Sequence, residues 1–239
     1  MLPEGVLAIN KEEGFTSMDV IALLRGITKQ KRIGHTGTLD PMATGVLPIC
    51  FGRATKLSNA LMDHEKEYEA VALFGVTTNT QDITGEVTAK QEEFSLTREE
   101  LEKALLGFVP GYEQLPPMYS ARKVKGQKLY VLARKGQTVD RQPKWADIPS
   151  ITLKEFDGKR AKLTIVCGRG TYIRTLIHDL GEKLGMGACM EALVRTRVGE
   201  FTLHNAVTLS EFEARFKNGD IDDLMIPAET IRERLESMQ

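Results

Sequence analysis

The chain has 239 residues, which is room for one large or two small domains. Hydrophobic residues make up 41% and charged residues 27%, as in a soluble globular protein with a proper core. No stretch approaches the roughly eighteen consecutive apolar residues of a membrane span, and no signal peptide is visible, so a cytoplasmic location is expected. The net charge of −1, taken alone, argues against a nucleic-acid binder.

Metal, disulfide and cofactor motifs are missing from the sequence. The three cysteines, Cys50, Cys167 and Cys189, are far apart and odd in number, which favours reduced core thiols. The four histidines show no metal-like spacing. The stretch 34–45, "GHTGTLDPMATG", lacks the Gly-Lys-Ser/Thr ending of a P-loop, and "GRG" at 168–170 is not a dinucleotide fingerprint. We therefore expect no metal and no cofactor.

In the first half of the chain, short apolar runs predict strands and amphipathic stripes predict helices. The predicted strands are 5–11, 45–52 and 66–76, and the predicted helices are 16–30, 53–62 and 96–108. Thr16 or Ser17 is expected to cap the first helix, and Thr97 with Glu100 to form a capping box. One face of the third strand is expected to carry Tyr68, Ala70, Ala72 and Phe74.

In the second half, a basic helix is predicted near 127–134, paired strands over 148–156 and 161–168, and a helix beginning around Thr171. An extended run follows at 189–203, and a last helix at 209–218. Adjacent strands with few crossover helices predict an α/β fold of the α+β type. Its sheet is expected to be mixed and largely antiparallel, with flanking helices. We expect one catalytic domain over 1–239, with a protruding basic insertion near 108–146.

The near-neutral charge hides an asymmetry. Between Ser120 and Trp145 there are eight basic residues and a single acid, Asp140. The last thirty residues have eight acids and four bases. The basic segment is either a phosphate-facing surface or a solvated helix face.

The stretch 34–45 surrounds Asp40 with glycines, threonines and a proline. Glycines permit unusual backbone conformations and close approach of another segment. Pro41 forces Asp40 into an extended conformation, so its carboxylate is expected at a turn, pointing away from the local backbone. Asp40 is then either a functional carboxylate or a turn cap.

Four separated stretches resemble the bacterial tRNA pseudouridine synthase B family in order and near spacing: "RIGHTGTLDPMATGVLPICFGRATK", "KEYEA", "PPMYSARKVKGQKLY" and "GTYIRTLIHDLGEKLG". The resemblance runs from about Gly5 to Pro227. "TLDPMATG" is similar to the stand-alone bacterial branch rather than to the guide-RNA-dependent relatives. The resemblance to the family implies the pseudouridine-synthase core, and it implies isomerisation of a uridine in the T loop of tRNA, position 55, to pseudouridine. No cofactor, guide RNA or obligate protein partner is implied, and a monomer is expected.

The resemblance also implies roles for site residues. Asp40 matches the catalytic carboxylate, which attacks ribose C1′ or uracil C6, or stabilises a glycal-type intermediate. Arg174 matches the arginine that pairs with this aspartate, and a first-turn arginine is expected to meet an acid. Tyr68 matches a tyrosine that stacks on the uracil near the proton at C5; otherwise it is a core aromatic.

Further matches concern the substrate. Leu193 matches an apolar residue against the base, and Tyr172 is expected to contact the base. His35 matches a histidine that helps to fill the space of the flipped base. Lys11 is expected to orient the loop or contact the site. The basic insertion matches an RNA-clasping segment, with Arg122, Lys123, Lys125, Lys128, Arg134 and Lys135 as its candidate RNA contacts.

The match departs from the family in two places. Glu12 stands where the family usually has a proline after the lysine. The family commonly ends in a PUA-type RNA-binding domain, for which the residues after Pro227 are too few, so weaker tRNA binding with intact chemistry is expected. A non-catalytic RNA-binding or RNA-folding module on the same scaffold is the alternative.

Overall fold

Alternating side chains define a central strand of the fold. In the computed structural model, every second residue of Lys66–Phe74 is buried, beginning with Lys66. Successive strand residues point to opposite faces of a sheet, so this strand has one fully covered face. The alternation expected for Tyr68, Ala70, Ala72 and Phe74 is confirmed. The structure describes residues 4–120, 122–124 and 126–237.

The strands follow one another along the chain as β1 (Gly5–Lys11), β2 (Ile33–His35), β3 (Thr44–Phe51), β4 (Lys66–Phe74), β5 (Val76–Thr78), β6 (Val87–Lys90), β7 (Gly111–Gln114), β8 (Lys123–Val124), β9 (Gln127–Lys128), β10 (Lys144–Asp147), β11 (Ser150–Phe156), β12 (Arg160–Cys167), β13 (Ala188–Val198), β14 (Phe201–Thr202), β15 (Ala206–Val207) and β16 (Ile226–Pro227).

The helices are α1 (Ser17–Thr28), α2 (Ser58–Met62), α3 (Arg98–Leu106), α4 (Leu129–Ala133), α5 (Ile173–Leu184), α6 (Leu209–Lys217) and α7 (Ala228–Glu236), with 3₁₀ turns at Gly52–Leu57, Leu203–Asn205 and Asp222–Leu224. None of the helices in the described ranges is long and apolar enough to span a membrane.

The predicted N-cap residues of α1 and α3 are confirmed. Thr16 caps α1 with a capping box to Asp19, and Thr97 caps α3 with the expected box to Glu100. Helix α5 begins at Ile173, with Tyr172 as its N-cap, close to the expected start around Thr171. One expectation was wrong: the helix predicted at 209–218 is not the last, because α7 follows it.

The chain divides into two compact units by its internal contacts, and it passes between them within β4 and β13. The first unit comprises the residues up to Tyr68 and those from Leu193 onward. Its strands lie in the order β13–β3–β1–β15. Strand β1 runs antiparallel to β3 and parallel to β15, and β13 runs parallel to β3, which confirms a mixed sheet.

The core of the first unit is built from β1, β3 and the helices beside them. Ala8, Val46 and Cys50 are buried there together with Ala228 and Ile231 of α7. Burial of such apolar side chains stabilises a fold by about 25 cal/mol per Å² removed from water. Helix α7 therefore contributes to this core, although the sequence did not predict it.

The second unit, Glu69–Ala192, has strands in the order β11–β12–β4–β13. The predicted pairing of β11 with β12 is confirmed, and it is antiparallel. Helices α3 and α5 contact each other in this unit. Strands β7 and β10 pair antiparallel and so join the two ends of the basic insertion.

Candidate active site

The backbone of the residue before Asp40 is hydrogen-bonded to the first residue of helix α1. The Ser17 hydroxyl accepts a hydrogen bond from the N–H of Leu39 at 2.9 Å and approaches the carbonyl of the same residue at 3.2 Å as a donor. Ser17 and Leu39 are both buried. Asp40, the residue after Leu39, is half-buried.

The backbone after Asp40 is held by a buried lysine. The Lys11 ammonium, on the last residue of β1, donates to the carbonyls of Glu12 at 2.9 Å, Phe15 at 2.7 Å and Pro41 at 3.3 Å. These three acceptors match the three hydrogens of an ammonium group. Burial lowers the Lys11 pKa to about 8, and the negative charge of Asp40 opposes that shift. Lys11 and Asp40 are thus brought together.

A second buried cation, on β13, supports the segment 35–43 that carries Asp40 between the end of β2 and the start of β3, here called the Asp40 loop. Arg195, which is 1% exposed, donates from Nε to the carbonyl of Val46 at 2.7 Å and from Nη2 to that of Gly37 at 3.2 Å. Gly45 lies against the Arg195 backbone with φ of +102°, where a Cβ would meet the Arg195 carbonyl oxygen at 2.2 Å. The glycine at 45 is therefore needed both for its conformation and for this close approach. Sequence reasoning missed Arg195.

His35 is half-buried at the end of β2. Its Nδ1 accepts a hydrogen bond from the N–H of Gly37 at 3.2 Å. Burial and the positive charge of Arg195 lower the pKa of His35 below its usual value. The imidazole is therefore neutral at pH 7 and is part of the Asp40 loop.

Tyr68 and Leu193 lie where the chain leaves and re-enters the first unit. Both side chains are 7% exposed, Tyr68 on β4 and Leu193 on β13. Aromatic and aliphatic groups at such positions can present a small apolar surface to a planar base. Their contact with a substrate stays a prediction.

Arg174 belongs to the second unit, on the second residue of α5, and is 6% exposed. Its Nη1 lies 3.6 Å from Oδ2 of Asp82, and its Nη2 donates to the carbonyl of Tyr119. A first-turn arginine was expected to meet an acid, and Asp82 is such an acid within the same unit. The expected pairing of Arg174 with Asp40, which belongs to the other unit, stays a prediction.

Asp82 is itself firmly held. Its Oδ1 accepts from the N–H and the hydroxyl of Thr84, at 3.0 and 2.5 Å, and from the hydroxyl of Thr80 at 2.9 Å. The preceding residue, Gln81, accepts from the hydroxyl of Thr175 at 2.7 Å. Two consecutive loop residues thus engage two consecutive residues of α5. Nothing local in the sequence marks Asp82 as a partner of a helix far along the chain.

Tyr172 is the N-cap residue of α5. Its N–H donates to Oε1 of Gln114 at 2.8 Å, and its carbonyl accepts from Nε2 of Gln114 at 3.0 Å. Gln114 is buried at the end of β7. Sequence reasoning missed this glutamine as well.

The basic insertion carries an aromatic platform at Tyr130. Lys128 and Arg134 lie over the Tyr130 ring, at 5.6 and 5.5 Å from its centroid. Lys128, Arg134 and Lys135 are exposed, and Arg122 is half-buried. The Lys123 side chain and the whole of Lys125 lie outside the described residues. In the described part of the chain, no cluster of His, Cys, Asp or Glu could hold a metal ion.

Two family models together match most of the chain. TruB family pseudouridylate synthase (N terminal domain) matches residues 25–173, and tRNA pseudouridylate synthase B C-terminal domain matches residues 174–233. The chain belongs to the TruB family. The resemblance seen in the four sequence stretches is confirmed, and the chain is a pseudouridylate synthase by family.

Curated relatives agree with this assignment. The chain is 44% identical over 223 residues to the tRNA pseudouridine synthase B of Alkaliphilus oremlandii, covering 93% of the chain and 73% of that relative. It is 46% identical over 230 residues to the protein of the same name from Bacillus cytotoxicus, covering 93% of the chain and 75% of the relative.

Solved structures confirm the pseudouridine-synthase fold of this TruB member. A chain of a Cbf5-Nop10-Gar1 complex matches with a TM-score of 0.75 and 27% identity, over 95% of this chain and 61% of that chain. A chain of an H/ACA RNP bound to a substrate RNA containing 2′-deoxyuridine matches with a TM-score of 0.71 and 25% identity, over 95% and 60%. This chain therefore spans about three fifths of the chains in those complexes.

Proposed function

We propose that this TruB family member acts alone in the cytoplasm on the T arm of tRNA and converts the uridine at position 55 to pseudouridine, with Asp40 as its catalytic carboxylate. Family membership and the names of the curated relatives support pseudouridine formation in tRNA. The T arm, the position and the role of Asp40 rest on the motifs and on the geometry of the loop.

The observation that carries the role of Asp40 is the fixation of its backbone from both sides. The Ser17 hydroxyl accepts a hydrogen bond from the N–H of Leu39, and the Lys11 ammonium donates one to the carbonyl of Pro41. A nucleophile or charge-stabilising group must stay within about 0.5 Å of its productive position, and such support provides this. The neighbouring Lys11 ammonium also favours the ionised carboxylate by charge attraction.

The expected reaction is an internal exchange of one bond for another. The bond between uracil N1 and ribose C1′ breaks, and the bond between C5 and C1′ forms. C5 loses its proton to water, and N1 gains one, so nothing is oxidised and the composition of the nucleotide is unchanged. Asp40 attacks C1′ or C6, or stabilises a glycal-type intermediate.

Three other side chains have expected roles in this step. Arg174, held by Asp82 and the Tyr119 carbonyl, offers a fixed positive charge to the carboxylate and the developing negative charge. Tyr68 stacks on the uracil near the C5 proton, and Leu193 packs on the base.

Access to the uracil requires the base to leave the stack of the T loop. The neutral imidazole of His35, on the Asp40 loop, is suited to stacking in the space that the base vacates. The Tyr130 platform with Lys128 and Arg134 offers cations to the RNA backbone.

The proposal is tested with a T-arm stem-loop labelled with tritium at uracil C5. Tritium release is followed with the parent protein and with the Asp40→Asn variant, which removes the negative charge at nearly constant shape. Stem-loops labelled at the target uridine alone, and at a stem uridine as control, show whether release is specific to position 55.

We expect release from the target uridine by the parent protein and a loss of at least about a thousandfold in Asp40→Asn. Binding of the stem-loop without release by the parent would support the non-catalytic RNA-binding module. Release by both proteins would show that Asp40 is not the catalytic carboxylate.

A further inference from the structure

The oxygen and the nitrogen of the Gln114 side-chain amide both form hydrogen bonds with the backbone of Tyr172. Oε1 accepts from the N–H of Tyr172, and Nε2 donates to the carbonyl of Tyr172. Two parallel hydrogen bonds fix the orientation of a peptide segment better than one does. Gln114 is 2% exposed, so water does not compete for these bonds.

The amide is locked in turn by a second pair of side chains. Nε2 of Gln114 also donates to the hydroxyl of Tyr112 at 2.8 Å, and that hydroxyl donates to Oδ2 of Asp179 at 2.7 Å. Tyr112 packs edge-on against Phe108, with ring centroids 4.9 Å apart. Because the Tyr112 hydroxyl gives its hydrogen to Asp179, it accepts from Gln114, and this sets which end of the amide faces which group.

This network ends at the start of the helix that carries Arg174. Tyr172 makes no side-chain cap bond to α5, and its carbonyl accepts the first intrahelical bond, from the N–H of Leu176 at 3.0 Å. Gln114 therefore acts as an external support for the N-terminus of α5. Asp179 lies in the same helix, so the network binds α5 at two points.

We propose that Gln114 is a positioning residue for the reaction, acting through Tyr172 and the start of α5 to place the Arg174 guanidinium. This rests on the proposed function, in which Arg174 serves Asp40. Asp82 and the Tyr119 carbonyl fix the end of the arginine side chain, whereas Gln114 fixes the backbone from which that side chain extends. Strand β7 supplies Gln114 rigidly because it is paired with β10.

The test replaces Gln114 by methionine, which has a similar size and no hydrogen-bonding amide. Single-turnover tritium release with saturating protein gives the rate, and RNA titration gives Kd. We expect Gln114→Met to lower the rate by about tenfold or more while Kd changes by less than about twofold, because positioning affects the chemical step rather than RNA binding.

Two comparison variants separate positioning from stability. Thr97→Ala in α3 or, for a larger loss, Leu101→Ala is chosen to match the melting temperature of Gln114→Met. The matched variant is expected to keep the parental rate. Tyr112→Phe keeps both bonds between Gln114 and Tyr172 and is expected to lose less activity than Gln114→Met.

A double-mutant cycle and hydrogen exchange complete the test. If Gln114 acts through Arg174, the losses of Gln114→Met and Arg174→Lys combine to less than their product. Exchange of the amide hydrogens at the start of α5 is expected to quicken by at least about tenfold in Gln114→Met, and this readout needs no activity.

An active parent with a Gln114→Met variant at the parental rate would overturn the inference. So would an equal loss of rate in the stability-matched variant, or unchanged hydrogen exchange at the start of α5. An inactive parent protein would instead overturn the proposed function, while the exchange result would still report whether Gln114 supports the helix.

Discussion

The Lys11 ammonium donates a hydrogen bond to the carbonyl oxygen of Pro41 across 3.3 Å, although 30 positions separate the two residues. Two further carbonyls, of Glu12 and Phe15, take its remaining hydrogens. Lys11 is 0% exposed. This buried cation therefore ties the end of β1 to the residue that follows Asp40, and it gives the loop a fixed base.

Replacing Lys11 with methionine is expected to slow the reaction more than it weakens RNA binding. The variant leaves three carbonyls without their charged donor, and hydrogen bonds to charged groups are worth about 1.5–3 kcal/mol each. We expect the single-turnover rate to fall at least about tenfold, with Kd within about twofold. Lys217→Met, at an exposed position of α6, is the control that removes one lysine charge. A weaker Kd with an unchanged rate would indicate that Lys11 contacts RNA instead.

Lys11 is expected to make the free energy of unfolding depend on pH. Burial lowers its pKa from 10.5 to about 8, with Asp40 opposing the shift. Between these values the unfolded chain holds the proton that the folded chain has lost, so stability contributed by this group rises with pH. At about 1.4 kcal/mol per pH unit the gain totals about 3 kcal/mol.

Urea unfolding of the parent and of Lys11→Met from pH 7 to pH 10.5 measures this directly. The free energy of unfolding of the parent relative to the variant is expected to be constant below about pH 7.5 and to rise above pH 8. A difference that stays flat, or that falls with pH, would contradict the lowered pKa.

Much of the fold was readable because its signals are local. The capping residues Thr16 and Thr97 hydrogen-bond within three positions of themselves, and the alternation in β4 repeats every second residue. Helix α7 was missed because its buried residues are only Ala228 and Ile231, too narrow a stripe to stand out. Its burial depends on a core built by strands at the other end of the chain.

The candidate site was only partly readable, for the opposite reason. Asp40 is marked by the sequence of its own loop, but the side chains that support the site form hydrogen bonds with residues far away along the chain. Arg195 bonds to Val46 and Gly37, 149 and 158 positions away, and Gln114 bonds to Tyr172, 58 positions away. Nothing local distinguishes such a side chain from a solvated one, so only the assembled backbone identifies it.

Arg195→Leu is expected to destabilise the first unit strongly. The change leaves the buried carbonyls of Val46 and Gly37 without donors, which costs about 3 kcal/mol or more in the free energy of unfolding. Arg197→Leu on the same strand is the control, because Arg197 is partly exposed and lies 3.8 Å from Glu65. Its loss is expected to stay below about 1 kcal/mol. Equal losses in the two variants, measured by urea unfolding, would show that Arg195 does not anchor the loop.

Asp82→Asn is expected to reduce activity through Arg174. The asparagine keeps an oxygen for Thr80 and Thr84 but removes the negative charge beside the buried guanidinium. We expect a fall in the single-turnover rate of about tenfold or more and a lower melting temperature, since a buried cation loses its counter-charge. Asp157→Asn, in an exposed turn before β12, is the control. A parental rate in Asp82→Asn would mean that the Tyr119 carbonyl alone suffices to hold Arg174.

Removing cations of the Tyr130 platform is expected to weaken RNA binding without slowing chemistry. Each of Lys128→Ala and Arg134→Ala should raise Kd several-fold and reduce the slope of log Kd against log salt by about one, if each neutralises one phosphate. Lys162→Ala is the control, because Lys162 lies on β12 with Glu69 at 3.4 Å.

Tyr130→Leu separates the ring from the charges that it orders. The variant keeps both cations but removes the surface that lies beneath them, so Kd is expected to rise while the salt slope stays near the parental value. The single-turnover rate at saturating protein is expected to be parental in all three platform variants, because none of these residues belongs to the Asp40 loop or to α5. An unchanged salt slope in both Lys128→Ala and Arg134→Ala would show that the platform does not face the RNA, and the basic composition of the insertion would then be that of a solvated surface.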